Sequence, residues 1–106
     1  MLEAASDAQE FVSGKTRASL DTDRQFRYAL RKALELIGEA ASKITQETRS
    51  QYPQIAWQSM IGMRNILIHV YMHIDYDRVW QTASEDIPSL VAELEKIIPP
   101  ENPRNV

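Results

Sequence analysis

Apolar residues recur at three- and four-residue steps for about five helical turns in the first half of the chain. This spacing puts them on one face of an α-helix, and the pattern is carried by Phe26, Leu30, Ala33, Leu34, Ile37, Ala41 and Ile44. Asp21 or Asp23 stands in front of the pattern and is suited to cap the helix. We therefore predict one long amphipathic helix against which the other elements pack.

The composition favours an all-helical fold, because the 106 residues include only 3 Gly and 5 Pro. With 43% hydrophobic and 25% charged residues, the chain has the balance of a soluble globular domain. We predict a single domain over residues 1–98 and a C-terminal tail over residues 99–106. No apolar run reaches the roughly 18 residues of a membrane span, so no membrane association is expected.

Three further helices and one short helical turn are predicted around the long helix. Small and apolar residues predict a first helix at residues 2–13, which Gly14 is placed to end. Residues 46–54 are predicted to form a short helical turn that breaks at Pro53. A third helix is predicted from Ile55 or Ala56 to about Met72, and a fourth helix is capped by Asp75. Pro88 lies within the fourth helix, where either a kink or a renewed helix capped by Asp86 is expected.

The absence of cysteine excludes disulfides and cysteine-based zinc sites, and it agrees with a cytoplasmic protein. His69 and His73 have the four-residue spacing of a helical metal pair, but no third ligand stands beside them, so we expect no metal and no cofactor. The net charge of −3 gives no overall attraction to nucleic acid. Any RNA contact must therefore come from a local cluster of cations.

Two features of the long helix concern its surroundings. Its cations Arg24, Arg27, Arg31 and Lys32 lie outside the apolar face, and we assign them to solvated surface. Gly38 stands in mid-helix, where glycine costs roughly 1 kcal/mol relative to alanine. Close approach of a neighbouring helix at Gly38 would offset that cost.

The residues most suggestive of chemistry form the stretch from Met63 to Tyr71. On a helix, Met63, Ile66, Leu67 and Val70 form a core-facing stripe about 100° wide. Arg64, Asn65, His69 and Tyr71 share a second face with apolar residues. Arg64 and His69 are about 140° apart, so they flank a ridge that contains Asn65 and Ile68. On spacing alone, structural hydrogen bonds explain one Arg and one His equally well or better. A second surface laid on the ridge would instead enclose both groups, and we expect another chain to supply it.

Beyond these patterns, the chain resembles the HepT-like HEPN ribonuclease toxins. The resemblance is carried by Arg64-Asn65-Ile66-Leu67-Ile68-His69-Val70-Tyr71, which fits the family pattern of Arg, four residues, His, one residue and Tyr. Ile61-Gly62-Met63, Ile74-Asp75, Val79-Trp80 and Ile37-Gly38-Glu39-Ala40 accompany it. Two positions depart from the pattern, since His73 stands where relatives commonly have Gly and Val70 where an acidic or small residue is common.

The resemblance implies a compact HEPN-type bundle of four to five helices that forms a homodimer, with two Arg–His sets at a shared cleft. It implies a metal-independent endoribonuclease toxin of a toxin–antitoxin pair that cuts tRNA or mRNA. It also implies an antitoxin nucleotidyltransferase of the MntA type, which silences the toxin by attaching AMP to the motif tyrosine, here Tyr71.

The residue chemistry agrees with this function. RNA is cut without metal when its 2′-OH attacks the adjacent phosphate. Histidine exchanges protons near neutral pH, so His69 is the expected base. Arg64 offers a fork of donors to the phosphate, and Tyr71, about 20° from it on a helix, could reach the same group. Asn65 would orient His69 or the phosphate, although capping a neighbouring loop is an equally good explanation.

Two other functions remain open on the sequence. The chain could be a non-catalytic helical dimer that binds or scaffolds a nucleotidyltransferase. It could also be an accessory domain that binds a nucleotide, because Arg and Tyr suit an adenine nucleotide as well.

Overall fold

The computed structural model describes residues 1–69 and 73–97, and this part of the chain is built from helices and their connections. The helices are α1 (Leu2–Val12), α2 (Ser19–Thr22), α3 (Arg24–Ser42), α4 (Gln46–Gln51), α5 (Trp57–His69), α6 (Tyr76–Gln81) and α7 (Ile87–Ile97). A π-helical turn, Thr82–Asp86, joins α6 to α7. The predicted all-α class is confirmed. The described ranges contain seven α-helices rather than the four to five expected, because a one-turn helix precedes α3 and the π-helical turn divides the predicted fourth helix into α6 and α7. Residues 98–106, with the end of the domain and the tail, lie outside the described residues.

Helix α3 is the centre of the bundle, as the apolar spacing predicts. Every residue of the predicted stripe up to Ala41 is buried, together with Gly38. Asp23 caps the helix, since its Oδ1 accepts a hydrogen bond of 3.0 Å from the Phe26 amide. Helix α1 packs against α3 and α7, while α5 packs mainly against α3. The side of α5 that carries Asn65, Ile68 and His69 is exposed in the described part of the chain.

Helices α3 and α5 run antiparallel. Arg49 of α4 donates from Nε to the Ile44 carbonyl (3.0 Å) and from Nη2 to the Ser42 carbonyl (3.2 Å), which holds α4 against the end of α3. A groove lined by Arg49 and Trp57, among others, joins α4 to the first turn of α5. Since α5 begins where α3 ends, their chains run in opposite directions.

The connection from α1 to α3 contains α2, a helix of one turn that the sequence did not predict. Arg17, in front of α2, donates from Nε to Asp77 of α6 at 2.6 Å and from Nη1 to Asp21 at 3.1 Å. Both contacts raise the pKa of Arg17, and the hydrogen bond to Asp77 has the larger effect. The connection is thereby fastened to the start of α6, close in sequence to the motif. Asp75 caps α6 by accepting from the amide of Asp77, as predicted.

The chain passes Pro88 without breaking the helix. Pro88 has no amide hydrogen, and in a regular helix its ring would crowd the carbonyl four residues earlier. The preceding turn widens instead, and the Ile87 amide donates to the Thr82 carbonyl five residues back. Of the two arrangements expected here, the renewed helix with a cap by Asp86 is not formed, because the chain stays helical through Asp86 and Ile87.

No helix in the described ranges is long and apolar enough to cross a membrane.

Candidate functional site

Helix α5 divides into a buried side and an outward side, as its sequence predicts. Met60, Met63 and Leu67 are buried against α3, and Ile66 is half-buried. On the outward side, Asn65, Ile68 and His69 are exposed. Val70 and Tyr71 of the predicted motif lie outside the described residues.

Arg64 lies at the seam between the two helices. A Cβ atom built on Gly38 would overlap the Arg64 Cβ and lie 2.6 Å from the Met60 carbonyl oxygen. The close approach predicted at Gly38 is thus confirmed, and it presses the stem of Arg64 against α3. The guanidinium extends outward, where Nη1 donates a 3.1 Å hydrogen bond to Oδ1 of Asn65.

The Nε of Arg64 is buried and has no hydrogen-bond partner among the described residues. A buried donor without a partner costs about 1–3 kcal/mol, so this group is suited to an acceptor brought by a ligand or a second chain. A phosphate offers several such oxygens, and an arginine fork fits two of them at once.

His69 is the last residue of α5, and its side chain is exposed rather than sealed in the core. It lies about 140° around the helix from Arg64, as five residues of α-helix require. Asn65 and Ile68 occupy the ridge between them. The structure therefore unites Arg64 and Asn65 through a hydrogen bond and places His69 across the same ridge.

The ridge also carries apolar surface. Ile68 is 39% exposed, which is high for a large aliphatic side chain, and it is one of three such exposed hydrophobic residues in the described part of the chain. Ile61 and Trp57 continue the line toward the start of α5 and are half-buried. The cations of the site thus border an apolar strip rather than a polar surface.

Arg31 of α3 was not among the predicted site residues and was assigned to solvated surface. Arg31 is half-buried, and its Nε is enclosed without a partner among the described residues, as in Arg64. A signal was present in the sequence, because Arg31 lies only about 20° around α3 from Gly38, the point of closest approach to α5. Arg24 and Lys32 are exposed, as predicted.

Within residues 1–69 and 73–97, no three His, Asp or Glu side chains come together as a set that could hold a metal ion. His73 is exposed.

Comparisons with known proteins give consistent results. The model of the family described as Ribonuclease HepT-like matches residues 1–97. A candidate RNase of Methanocaldococcus jannaschii is 40% identical over 90% of this chain and 87% of its own length. A candidate ribonuclease HepT of Thermococcus cleftensis is 37% identical over 91% of both chains. No solved structure matches the chain significantly.

Proposed function

This chain belongs to the HepT-like ribonuclease family, and from that premise we propose that it is a metal-independent endoribonuclease acting in the cytoplasm as the toxin of a toxin–antitoxin pair. The observation that carries the proposal is the arrangement on α5. Arg64, with an unpartnered buried Nε, and the exposed imidazole of His69 border one outward ridge that has no covering helix in the described residues.

The chemistry follows from the two side chains. His69 takes the proton from a ribose 2′-OH, and the resulting oxygen attacks the neighbouring phosphorus. The bond from phosphorus to the 5′-oxygen breaks, and that oxygen takes up a proton from the imidazolium or from water. Arg64 stabilises the charge that builds on the phosphoryl oxygens. The products are a 2′,3′-cyclic phosphate and a 5′-hydroxyl end.

Asn65 supports this reaction by holding the Arg64 guanidinium. The 3.1 Å hydrogen bond from Arg64 Nη1 uses one of the five donors of the fork and fixes its direction. Because the neutral amide accepts without cancelling the charge, the cation remains available to phosphate.

A homodimer would complete the site. The Ile68 side chain and the half-buried Ile61 form an apolar strip on the outward side of α5, where Asn65 and His69 are also exposed. A second copy laid on this ridge would bury the strip and bring two Arg–His sets to one cleft, with the polar groups at its border.

The partner that we propose for this toxin is an antitoxin nucleotidyltransferase of the MntA type, which attaches AMP to Tyr71. The proposal for Tyr71 comes from the Arg64-to-Tyr71 motif. An AMP group so close to Arg64 in sequence would add negative charge and bulk where the RNA phosphate must lie.

The test is cleavage of labelled tRNA and mRNA by purified protein in the presence of a chelator. We expect cleavage by the unaltered chain, products with cyclic phosphate ends, and loss of cleavage in His69→Ala. Gln58→Ala, an exposed change on the same helix, is the matched control. If His69→Ala cuts as well as the unaltered chain, the mechanism is wrong.

The alternative function, a helical dimer that only binds a nucleotidyltransferase, predicts a different result. Such a protein would bind the nucleotidyltransferase, leave RNA intact and cause no growth arrest when expressed alone.

A further inference from the structure

We propose that Arg31 of α3 binds a second RNA phosphate, next to the one that is cleaved, and so extends the substrate site from α5 across the helical seam. This inference rests on the proposed ribonuclease function and assigns a role to a residue outside the family motif. It depends on the position of Arg31 relative to α5, on its unpartnered donor and on the aromatic ring beside it.

If α3 and α5 are treated as straight antiparallel helices, the contact at Gly38 puts Arg31 at about the height of His69. Gly38 lies opposite the segment from Met60 to Arg64. The middle residue of that segment is seven residues before His69. Arg31 is seven residues before Gly38, or about 10 Å along α3. Moving by equal distances in opposite chain directions brings Arg31 and His69 to the same height along the pair.

Arg31 also lies on the outward edge of the seam. It is about 20° around α3 from Gly38, on the side away from the buried stripe. On α5 the corresponding outward edge is formed by Arg64 and Ile68. A strand of RNA that contacts Arg64 at its cleaved phosphate can therefore continue along the seam to Arg31 without crossing the core.

The Arg31 side chain is prepared for an acceptor. Its Nε is buried without a partner among the described residues, as in Arg64. Glu35 and Glu39 lie on the same side of α3, yet no salt bridge within the described ranges joins either of them to Arg31. The Arg31 guanidinium thus forms no ion pair within the described ranges, and a phosphate oxygen would satisfy the enclosed donor.

Tyr28 provides the second contact that single-stranded RNA requires. It precedes Arg31 by three residues and therefore neighbours it on the helix surface, and its side chain is 56% exposed. The Arg27 guanidinium lies 5.6 Å from the ring centre, while its Nη1 donates to the Leu20 carbonyl at 2.9 Å. Arg27 is thus committed to the fold and supports the ring, which remains open for stacking of a base.

The experiment measures binding rather than cleavage. Each change is made in the His69→Ala background, and the probe is a fluorescent single-stranded RNA of mixed sequence and about 16 nucleotides. We expect Arg31→Gln to weaken binding about tenfold. The slope of log affinity against log salt should become shallower by about 0.7, as expected for one lost phosphate contact. Lys32→Gln removes the same charge from the next, exposed position and should change neither quantity.

Two further measurements separate the possible explanations. Arg31→Lys keeps the charge but loses the fork, and it should restore the salt slope more fully than the affinity. Light scattering and thermal melting report assembly and folding. The inference is overturned if Arg31→Gln leaves the salt slope unchanged. It is also overturned if Arg31→Gln dissociates the proposed dimer without changing the slope.

The outcome for Arg31 is distinguishable from the outcome for the proposed function. RNA binding that depends on Arg31 in a chain that never cleaves RNA would refute the nuclease but keep the contact. Cleavage that needs His69 but binding that ignores Arg31 would refute the contact alone.

Discussion

Gly38 of α3 lies directly against the stem of Arg64 on α5. A Cβ atom at position 38 would overlap the Arg64 Cβ and approach the Met60 carbonyl oxygen to 2.6 Å. Neither the Cβ nor the backbone carbonyl can turn aside as the end of a long side chain could. The separation of the two helices, and with it the position of the Arg64 guanidinium, therefore depends on the absence of a side chain at residue 38.

Gly38→Ala should destabilise the protein and impair the site together. Alanine favours helix over glycine by up to about 1 kcal/mol, but overpacking of this contact should cost about 1–3 kcal/mol. We expect a net loss of unfolding free energy in urea and a fall in RNA cleavage, because α5 must shift away from α3.

Gly62→Ala is the matched control for that change. Gly62 is also in mid-helix, yet a Cβ there would meet nothing within 4 Å. We expect Gly62→Ala to leave stability unchanged or raise it by up to about 1 kcal/mol. If both variants behave alike, the close approach of α3 and α5 is not what requires glycine at position 38.

Much of this fold could be predicted because long amphipathic helices leave a period in the sequence. The caps by Asp23 and Asp75 were also visible, since each depends on local geometry. The predicted stop at Gly14 was close: α1 ends at Val12, Ser13 is already extended, and Gly14 follows with a φ of 77°. Helix α2 was missed because four residues hold too little periodicity. The π-helical turn was missed because widening a helix before Pro88 is one of several ways to accommodate proline.

The candidate site was predicted only as far as it lies on one helix. Arg64, Asn65 and His69 could be arranged from their spacing, and the exposure of His69 agrees with that arrangement. The spacing of Arg31 from Gly38 was a signal in the sequence, but the enclosure of its Nε could not be predicted, because burial depends on how closely packed helices approach. The spacing of residues within one helix carries no information about the distance between two helices.

Asn65 should affect RNA cleavage by holding Arg64, and it should not affect the stability of the fold. Asn65→Ala removes the acceptor for Arg64 Nη1 from an exposed position, so we expect an unchanged melting temperature and about tenfold slower RNA cleavage. Asn65→Asp should slow cleavage further, because a carboxylate beside Arg64 competes with the phosphate. Single-turnover rates with labelled RNA measure both variants. An Asp variant as fast as the unaltered chain would remove the assigned role.

Ile68 should control assembly. Placing a carboxylate in an apolar contact is costly, so Ile68→Asp is expected to convert the proposed dimer to monomers while leaving each protomer folded. Leu36→Asp is the matched control, because Leu36 is 44% exposed, slightly more than Ile68, and belongs to α3. Light scattering across a range of concentrations measures the result. Dimers in Ile68→Asp, or monomers in Leu36→Asp, would place the interface elsewhere.

Asp23 should make stability depend on pH in acid. Its pKa is lowered from 3.8, first because the Phe26 amide donates to the carboxylate and then because Lys15 does so. The stabilisation is therefore present above the ordinary pKa and is lost as the pH falls through the lowered one. Asp23→Asn keeps a capping side chain but lacks the charge.

We expect Asp23→Asn to melt at a lower temperature than the unaltered chain at neutral pH. The difference should close as the pH falls below 3.8. Melting curves followed by circular dichroism measure it, and Asp7→Asn, an exposed change on α1, gives the background effect of losing one carboxylate. A difference that persists unchanged in acid would assign the cap to hydrogen bonding alone.

Tyr71 should be the residue that the proposed antitoxin modifies. Intact-mass measurement of this chain co-expressed with the proposed nucleotidyltransferase should show an added AMP on the unaltered chain and none on Tyr71→Phe. The modified chain should bind RNA more weakly, because the added phosphate repels the RNA backbone. Tyr28→Phe is the control, since Tyr28 is an exposed phenol that should leave the adduct in place. An adduct that persists on Tyr71→Phe would move the modification to another residue, and with it the mechanism of silencing.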